Sequence, residues 1–303
     1  MSDVHGFQVE LERPFDLDTT VDSWIYSDVQ PVPEYKRPGE FARCLSINSN
    51  LIPVRVIQLR KGKTPSLQVQ WPAKYGGDHK AITAQIGWLL GWDVDTRSVL
   101  STIKKDPVIA HLEKPLRGLR PFSQPTFFEA IVKAIIQQQV SFRSANKVIR
   151  HLVLEYGPRC RIGEEELFGF PSWETLHALP ESKLRACKLG YKVPYLKGLF
   201  KALSNESIDL KELALLDTLT VINKLDALRG IGLWTAELAV LTGLRRLEVF
   251  PADDLGIRQI ISQLYLRDKP AKRADVENIA ERWGAARFLV LYFLMCAQVL
   301  GLV

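Results

Sequence analysis

The distribution of apolar and polar positions divides the chain into two stretches of different character. In the first, Val54–Leu59 is apolar or alternating at strand length and Leu67–Trp71 alternates, with the basic turn Arg60-Lys61-Gly62-Lys63-Thr64-Pro65 between them. A period of two puts every second side chain on one face, so these segments predict two strands of a sheet. Ser46–Leu51 is a candidate strand before them. Over Ala81–Leu90 the period changes, and Ile82, Ile86, Leu89 and Leu90 fall on one side of a helix. Strands mixed with one or two helices predict a small α+β module.

From about Pro125 the period is helical. Phe127–Gln138 and Asn146–Leu154 repeat apolar residues at i, i+3 and i+4. Pro180-Glu181-Ser182-Lys183-Leu184 has the form of a helix start, with proline and an acidic residue in the first turn. Pro194–Leu203 predicts a further short helix. Thr220–Ala227 and Leu233–Thr242 flank a glycine turn, and Gly243 is placed to cap the second of them. Arg273–Trp283 and Ala285–Leu300 close the chain. Proline and basic residues between Lys114 and Pro125 mark the junction, which predicts an N-terminal sheet domain over residues 1–112 and an all-α region over 113–303.

Composition narrows this picture only a little. A chain of 303 residues can bury a full core, and 47% hydrophobic with 24% charged residues is ordinary for a globular protein. Forty Lys and Arg against 34 Asp and Glu leave a net charge of +6, a modest excess that suits a polyanionic partner without identifying one. Cys44, Cys160, Cys187 and Cys296 are far apart and show no CxxC spacing, which excludes a zinc ribbon or a locally ligated iron–sulfur cluster as the simple interpretation. Reduced, packed thiols in a cytosolic or nuclear compartment are expected. His5, His79, His111, His151 and His177 have no metal-ligand spacing, and no divalent metal or organic cofactor is expected. Met1-Ser2-Asp3-Val4-His5 does not open a signal peptide, and Phe288–Val303, the most apolar segment, is too short to span a bilayer comfortably.

The chemistry concentrates in Leu228-Arg229-Gly230-Ile231-Gly232-Leu233-Trp234-Thr235-Ala236-Glu237, followed by Asp253-Asp254. A Gly-x-Gly turn that opens a helix leaves unpaired N–H groups at the positive end of the helix dipole, where a phosphate can bind without its base being read. In isolation the same turn could be a plain link between two helices, its glycines merely permitting positive φ. A carboxylate downstream adds a group able to act on whatever carries the phosphate.

Leu-x-Gly-Ile-Gly-x-Trp-Thr-Ala and Pro-Ala-Asp-Asp-Leu-x-Ile together resemble the helix-hairpin-helix DNA glycosylase superfamily, and within it the AlkA-type 3-methyladenine DNA glycosylase II family. Gly118-Leu119-Arg120-Pro121, Phe128–Ile136, Gln138, Ser141 and Leu189-Gly190-Tyr191-Lys192 agree in order, over roughly residues 107 to 290. The resemblance implies a sheet domain like half of the TATA-binding-protein fold, then two helical subdomains with the active-site cleft between them. It implies excision of alkylated purines from double-stranded DNA by a monomer, in the cytoplasm of a prokaryote or the nucleus of a eukaryote. Removal of oxidised or deaminated bases is the alternative, and non-catalytic binding of damaged DNA a further one.

Residue by residue, the resemblance implies that Asp254 is catalytic, because cleavage of an N-glycosidic bond builds positive charge on the sugar that a fixed anion stabilises. Asp253 competes, with a helix N-cap as its plainer role. Relatives that also cut the strand carry a Schiff-base lysine two residues after the second hairpin glycine. Trp234 stands there, which implies a water-using enzyme and an aromatic wall for the base. Gln138, Phe142, Leu238, Phe288, Tyr292 and Met295 are expected around the base, with Leu238 and Met295 replacing aromatic residues of the best-known pattern. Gln139 falls at the position of the wedge that fills the gap left by a flipped base. Leu228, Arg229, Gly230, Ile231, Gly232 and Thr235 are expected at the DNA backbone, and the carbonyls of Leu228 and Ile231 around a monovalent cation. Arg143, Lys147, Lys192, Arg258 and Arg287 are further candidates for the DNA face. Nothing in the N-terminal module, Trp24 included, suggests catalysis.

Overall fold

Five strands form one antiparallel sheet in the computed structural model, which describes residues 4–303 except 31, 48, 49, 63 and 77. They are β1 (Val4–Glu10), β2 (Glu34–Arg37), β3 (Glu40–Ile47), β4 (Asn50–Arg60) and β5 (Ser66–Pro72), in the order β1-β5-β4-β3-β2. The two strands expected from alternation are β4 and β5, joined by the basic turn, of which residue 63 lies outside the described residues. Ser46–Leu51 is not a strand of its own. It spans the end of β3 and the start of β4, with residues 48 and 49 outside the description.

The third strand escaped the alternation test because both of its faces are covered. Phe41 and Leu45 belong to the main core, while Ala42 and Cys44 face a small second cluster with Cys160, Ile162 and Leu167. That cluster is closed by a hairpin of β6 (Arg159–Ile162) and β7 (Glu165–Phe168), inserted among the helices. Here Cys44 and Cys160 form a disulfide across 116 residues, which corrects the expectation of four reduced thiols. Linear spacing carries no information about a pair brought together by tertiary packing. Cys187 and Cys296 are free and buried, and burial pushes their thiols up to about 11 and about 12, away from reactivity.

Helices make up most of the remainder. In chain order they are α1 (Leu17–Asp22), α2 (His79–Leu90), α3 (Arg97–Lys105), α4 (Phe127–Gln137), α5 (Phe142–Tyr156), α6 (Trp173–Ala178), α7 (Glu181–Ala186) and α8 (Val193–Ser204). There follow α9 (Leu210–Leu215), α10 (Thr218–Asp226), α11 (Leu233–Gly243), α12 (Leu255–Tyr265), α13 (Arg273–Ala280) and α14 (Arg287–Val299). All of α11 from Thr235 to Gly243 is buried, as its nearly unbroken apolar sequence requires. Gly243 ends that helix in place of capping it from outside. A β-carbon there would stand 2.5 Å from the Ala130 Cβ of α4, so glycine lets the two helices touch. Among the described residues no helix is long and apolar enough to cross a membrane.

A buried ionic cluster joins sheet to helices. Arg43 of β3 donates to Glu34 of β2 and Glu129 of α4, and Lys133 Nζ lies 3.0 Å from Glu34 and 2.8 Å from Glu129. Two cations and two anions balance inside the core, where an unpaired charge would be costly. The cluster fixes α4 against the sheet, and the C-terminal end of α4 delivers Gln138 to the cleft described next.

Candidate active site

The glycine turn joins α10 to α11. Leu228 N–H donates to the Leu225 carbonyl and Ile231 N–H to the Leu228 carbonyl, both at 3.0 Å. Its two glycines serve different needs. Gly230 has φ of 87°, and a β-carbon on it would fall 2.1 Å from the Tyr195 ring. Gly232 has φ of −90° and nothing within 4 Å of the place a β-carbon would take, so no internal constraint demands glycine there. As N-cap of α11, Gly232 offers no side-chain acceptor, which leaves the first N–H groups of that helix directed outward. The Gln138 carboxamide ties the turn down, donating to the Gly230 carbonyl at 2.7 Å and to Thr235 Oγ1 at 2.9 Å. The Ile231 carbonyl accepts no backbone hydrogen bond among the described residues. It and the second lone pair of the Leu228 carbonyl fit the expected monovalent cation.

Asp254 is held from two sides. Its Oδ1 accepts Ile257 N–H at 3.1 Å, making it the N-cap of α12, and its Oδ2 accepts the Trp234 indole N–H at 3.1 Å. The N-cap role expected of Asp253 therefore falls to Asp254. Asp253 is exposed and bridges to Arg273 at 3.3 Å. Arg273 also gathers Glu237 and Glu277, at 3.0 and 2.8 Å. Burial raises the affinity of the Glu237 carboxyl for its proton, with Arg273 opposing.

An open cleft of about 1370 Å³ collects most of the predicted residues. Gln138, Gln139, Phe142, Leu228, Arg229, Gly230, Ile231, Gly232, Trp234, Thr235, Leu238, Asp254 and Met295 all line it. Phe288 and Tyr292 do not, which corrects their assignment to the base pocket. By helical spacing they share one side of α14 with Met295 and Val299, but only Met295, Gln298 and Val299 of this helix line the cleft. Tyr292 is buried, and its hydroxyl accepts Trp24 Nε1–H at 2.5 Å and Phe122 N–H at 2.8 Å. Its ring stacks behind Trp24 with centroids 5.9 Å apart, so it backs the wall without forming it. Phe288 lies beneath the Arg287 guanidinium at 4.7 Å.

Several lining residues were not foreseen in this role. Trp24 comes from the N-terminal module and meets Phe142 edge-on at 5.8 Å, so that module does contribute to the cleft. No periodic signal marks a single tryptophan after a short helix. Tyr191, quoted above only as part of a motif, reaches the carbonyl of Gln138 and Oε1 of Gln139, each at 3.3 Å. Gln139 itself is exposed with φ of 54°. Lys192 is no surface charge. It is buried, its Nζ donates to the Ile136 carbonyl at 2.5 Å, and desolvation weakens its hold on the proton. Arg143 pairs with Asp28, and Arg258 Nε donates to the Ala271 carbonyl at 2.7 Å. Among the described residues Arg229 is the one basic side chain lining the cleft.

Known proteins resemble this chain in sequence and in fold. A DNA-3-methyladenine glycosylase of Bacillus subtilis is 23% identical over 203 residues, 67% of each chain. A Mycobacterium tuberculosis protein described as a probable bifunctional transcriptional activator/DNA repair enzyme AlkA is 30% identical over 207 residues, 68% of this chain but 40% of that protein. In three dimensions the chain resembles a 3-methyladenine DNA-glycosylase from Archaeoglobus fulgidus, with a TM-score of 0.85 and 24% identity, covering 96% of this chain and 98% of the other. The sheet followed by a helical body is thus a shared fold. Residues 132–285 match the family model of HhH-GPD superfamily base excision DNA repair proteins, and the chain belongs to that family.

Proposed function

We propose that this protein is a monofunctional DNA glycosylase that flips alkylated purines of the 3-methyladenine type and hydrolyses their N-glycosidic bond with water. One observation carries the proposal. The Asp254 carboxylate is fixed in the cleft wall by Trp234 and Ile257, beside the outward N–H groups of the glycine turn. The turn holds a backbone phosphate, which presents the neighbouring sugar to Asp254. As the bond between C1′ and the base nitrogen lengthens, the pair of electrons leaves with the base and the sugar becomes cationic. A preoriented anion stabilises that charge without having to reorganise.

An alkylated purine carries a formal positive charge, so the faces of Trp24, Phe142 and Trp234 attract it beyond the area they bury. The leaving group is then already good and a strong general acid is dispensable. No lysine lines the cleft among the described residues, and Trp234 occupies the position of the strand-cutting amine. This supports hydrolysis over lyase chemistry. Gln139, exposed at the cleft in a left-handed backbone conformation, serves as the wedge, with Tyr191 against it. A monovalent cation at the Leu228 and Ile231 carbonyls would add positive charge near the bound phosphate. The protein acts as a monomer on duplex DNA.

Release of free base from methylated duplex tests the proposal. Wild type should liberate 3-methyladenine, leave an abasic site, and resist trapping on DNA by borohydride. Asp254→Asn should bind the duplex but release no base. A panel of duplexes carrying single lesions separates alkylated from oxidised and deaminated targets, and preferential release of 8-oxoguanine or hypoxanthine overturns the substrate assignment.

A further inference from the structure

The last helix brings a second oxygen towards the same side of Asp254. Gln298, in the final turn of α14, lines the cleft and is half-buried, and its side chain makes no hydrogen bond among the described residues. Gly256 lies between the two. A β-carbon on Gly256 would stand 2.6 Å from Gln298 Oε1 and 3.1 Å from Asp254 Oδ1, so both oxygens converge on the space that glycine leaves free. The φ of Gly256 does not require glycine.

Each oxygen of the carboxylate accepts one N–H from the protein and retains a further lone pair. A second acceptor beside Oδ1 calls for a ligand that donates twice. Water has that chemistry. With one proton given to each oxygen, its own lone pairs point away from both.

We propose that Gln298 and Asp254 together hold the hydrolytic water, so that Gln298 is a water-positioning residue for the excision reaction. The inference rests on the glycosylase function proposed above. Water oxygen forms the new bond to C1′ as the bond from C1′ to the base nitrogen breaks, and the departing base keeps that electron pair. The proton on the Asp254 side passes to the carboxylate and then to solvent, while the other stays on the new sugar hydroxyl. Gln298 accepts a hydrogen bond throughout and is not itself protonated.

Methanol discriminates this role from packing, because its single O–H can satisfy only one of the two acceptors. The experiment compares wild type, Gln298→Met and Gln298→Ala on a duplex with one 3-methyladenine, in buffer and in buffer with a fixed share of methanol. Single-turnover release should fall about 3- to 10-fold in both variants, the range set by one neutral hydrogen bond to the attacking water. Affinity for abasic-site duplex should stay within about twofold of wild type, below that kinetic loss. The share of methyl deoxyriboside among the sugar products should rise severalfold over wild type. Gly256→Ala, whose new methyl group displaces the Gln298 carboxamide, should reproduce both changes.

Unchanged release in the Gln298 variants overturns the inference. So does slower release with the wild-type product ratio, the outcome for an amide that donates directly to Asp254. A loss confined to some lesions and absent for others also overturns it, since the amide would then be reading the base. Wild-type release, abolished in Asp254→Asn, is measured alongside, and its failure would strike the glycosylase proposal instead.

Discussion

The indole N–H of Trp234 meets Asp254 Oδ2 at 3.1 Å, tying the first turn of α11 to the N-cap of α12. The residue at the place of a strand-cutting lysine therefore also orients the carboxylate assigned to glycosidic cleavage. Trp234→Phe keeps an aromatic face and removes the donor together with part of the ring. A hydrogen bond to a charged group contributes roughly 1.5–3 kcal/mol, which corresponds to a loss of about 10- to 100-fold in single-turnover base release. Rapid-quench kinetics on a 3-methyladenine duplex check this, and a wild-type rate would show that the tether is idle.

The two glycines of the hairpin should separate stability from DNA binding. Gly230→Ala drives a methyl group into the Tyr195 ring and demands φ of 87° of an L-residue, so it should cost about 2 kcal/mol or more in chemical denaturation. Gly232→Ala meets nothing within 4 Å and keeps an ordinary φ of −90°. Its stability should change by less than about 0.5 kcal/mol. The new methyl group would instead stand where a DNA phosphate approaches, so fluorescence anisotropy should report at least about tenfold weaker binding to abasic-site duplex, the scale of 1.4 kcal/mol. Equal losses of stability in the two variants contradict this division.

Much of this site was legible because its parts are local in sequence. Gly230, Gly232, Trp234 and Asp254 lie in motifs whose spacing is set by helix geometry, and the cleft brings all four together. Where the chain closes on itself over long range, pattern failed. Trp24 and Tyr292 touch across 268 residues, and nothing in either neighbourhood announces the other. A uniformly apolar helix such as α14 gives no sign of how deeply each residue is covered, so Tyr292 and Met295, both expected around the base, part company: Met295 lines the cleft and Tyr292 is buried behind Trp24. The same limit hid β3, whose two covered faces erase the alternation that reveals β4 and β5.

The disulfide between Cys44 and Cys160 closes a long loop, and neither cysteine lines the cleft. A crosslink of this kind stabilises chiefly by restricting the unfolded chain, by about 2–4 kcal/mol. Cys160→Ser, or reduction of wild type in denaturant, should lower the unfolding free energy by that amount. Base release at 25 °C should be unaffected, because neither cysteine lines the cleft. Denaturation curves with and without reductant measure the first part, and no shift between them contradicts it.

Acid should act on the ionic cluster that seats α4. Burial alone would raise the Glu129 carboxyl, but Arg43 and Lys133 outweigh it and hold the group below its ordinary value. A carboxyl that is depressed in the folded state binds protons more weakly there than in the unfolded chain. Its contribution is therefore full above the unfolded value of about 4.3 and is lost as pH falls through the lower folded value. Arg43→Met leaves Glu34 and Glu129 facing Lys133 alone, and breaking a buried pair in this way should cost about 3–5 kcal/mol at pH 7. The cost should shrink on acidification, because protonating Glu129 relieves the excess negative charge in the variant while it weakens the wild type. Urea denaturation of both proteins between pH 7 and pH 4 tests the sign directly: the gap must narrow towards pH 4, and a gap that stays constant or widens shows that Glu129 is not held by Arg43.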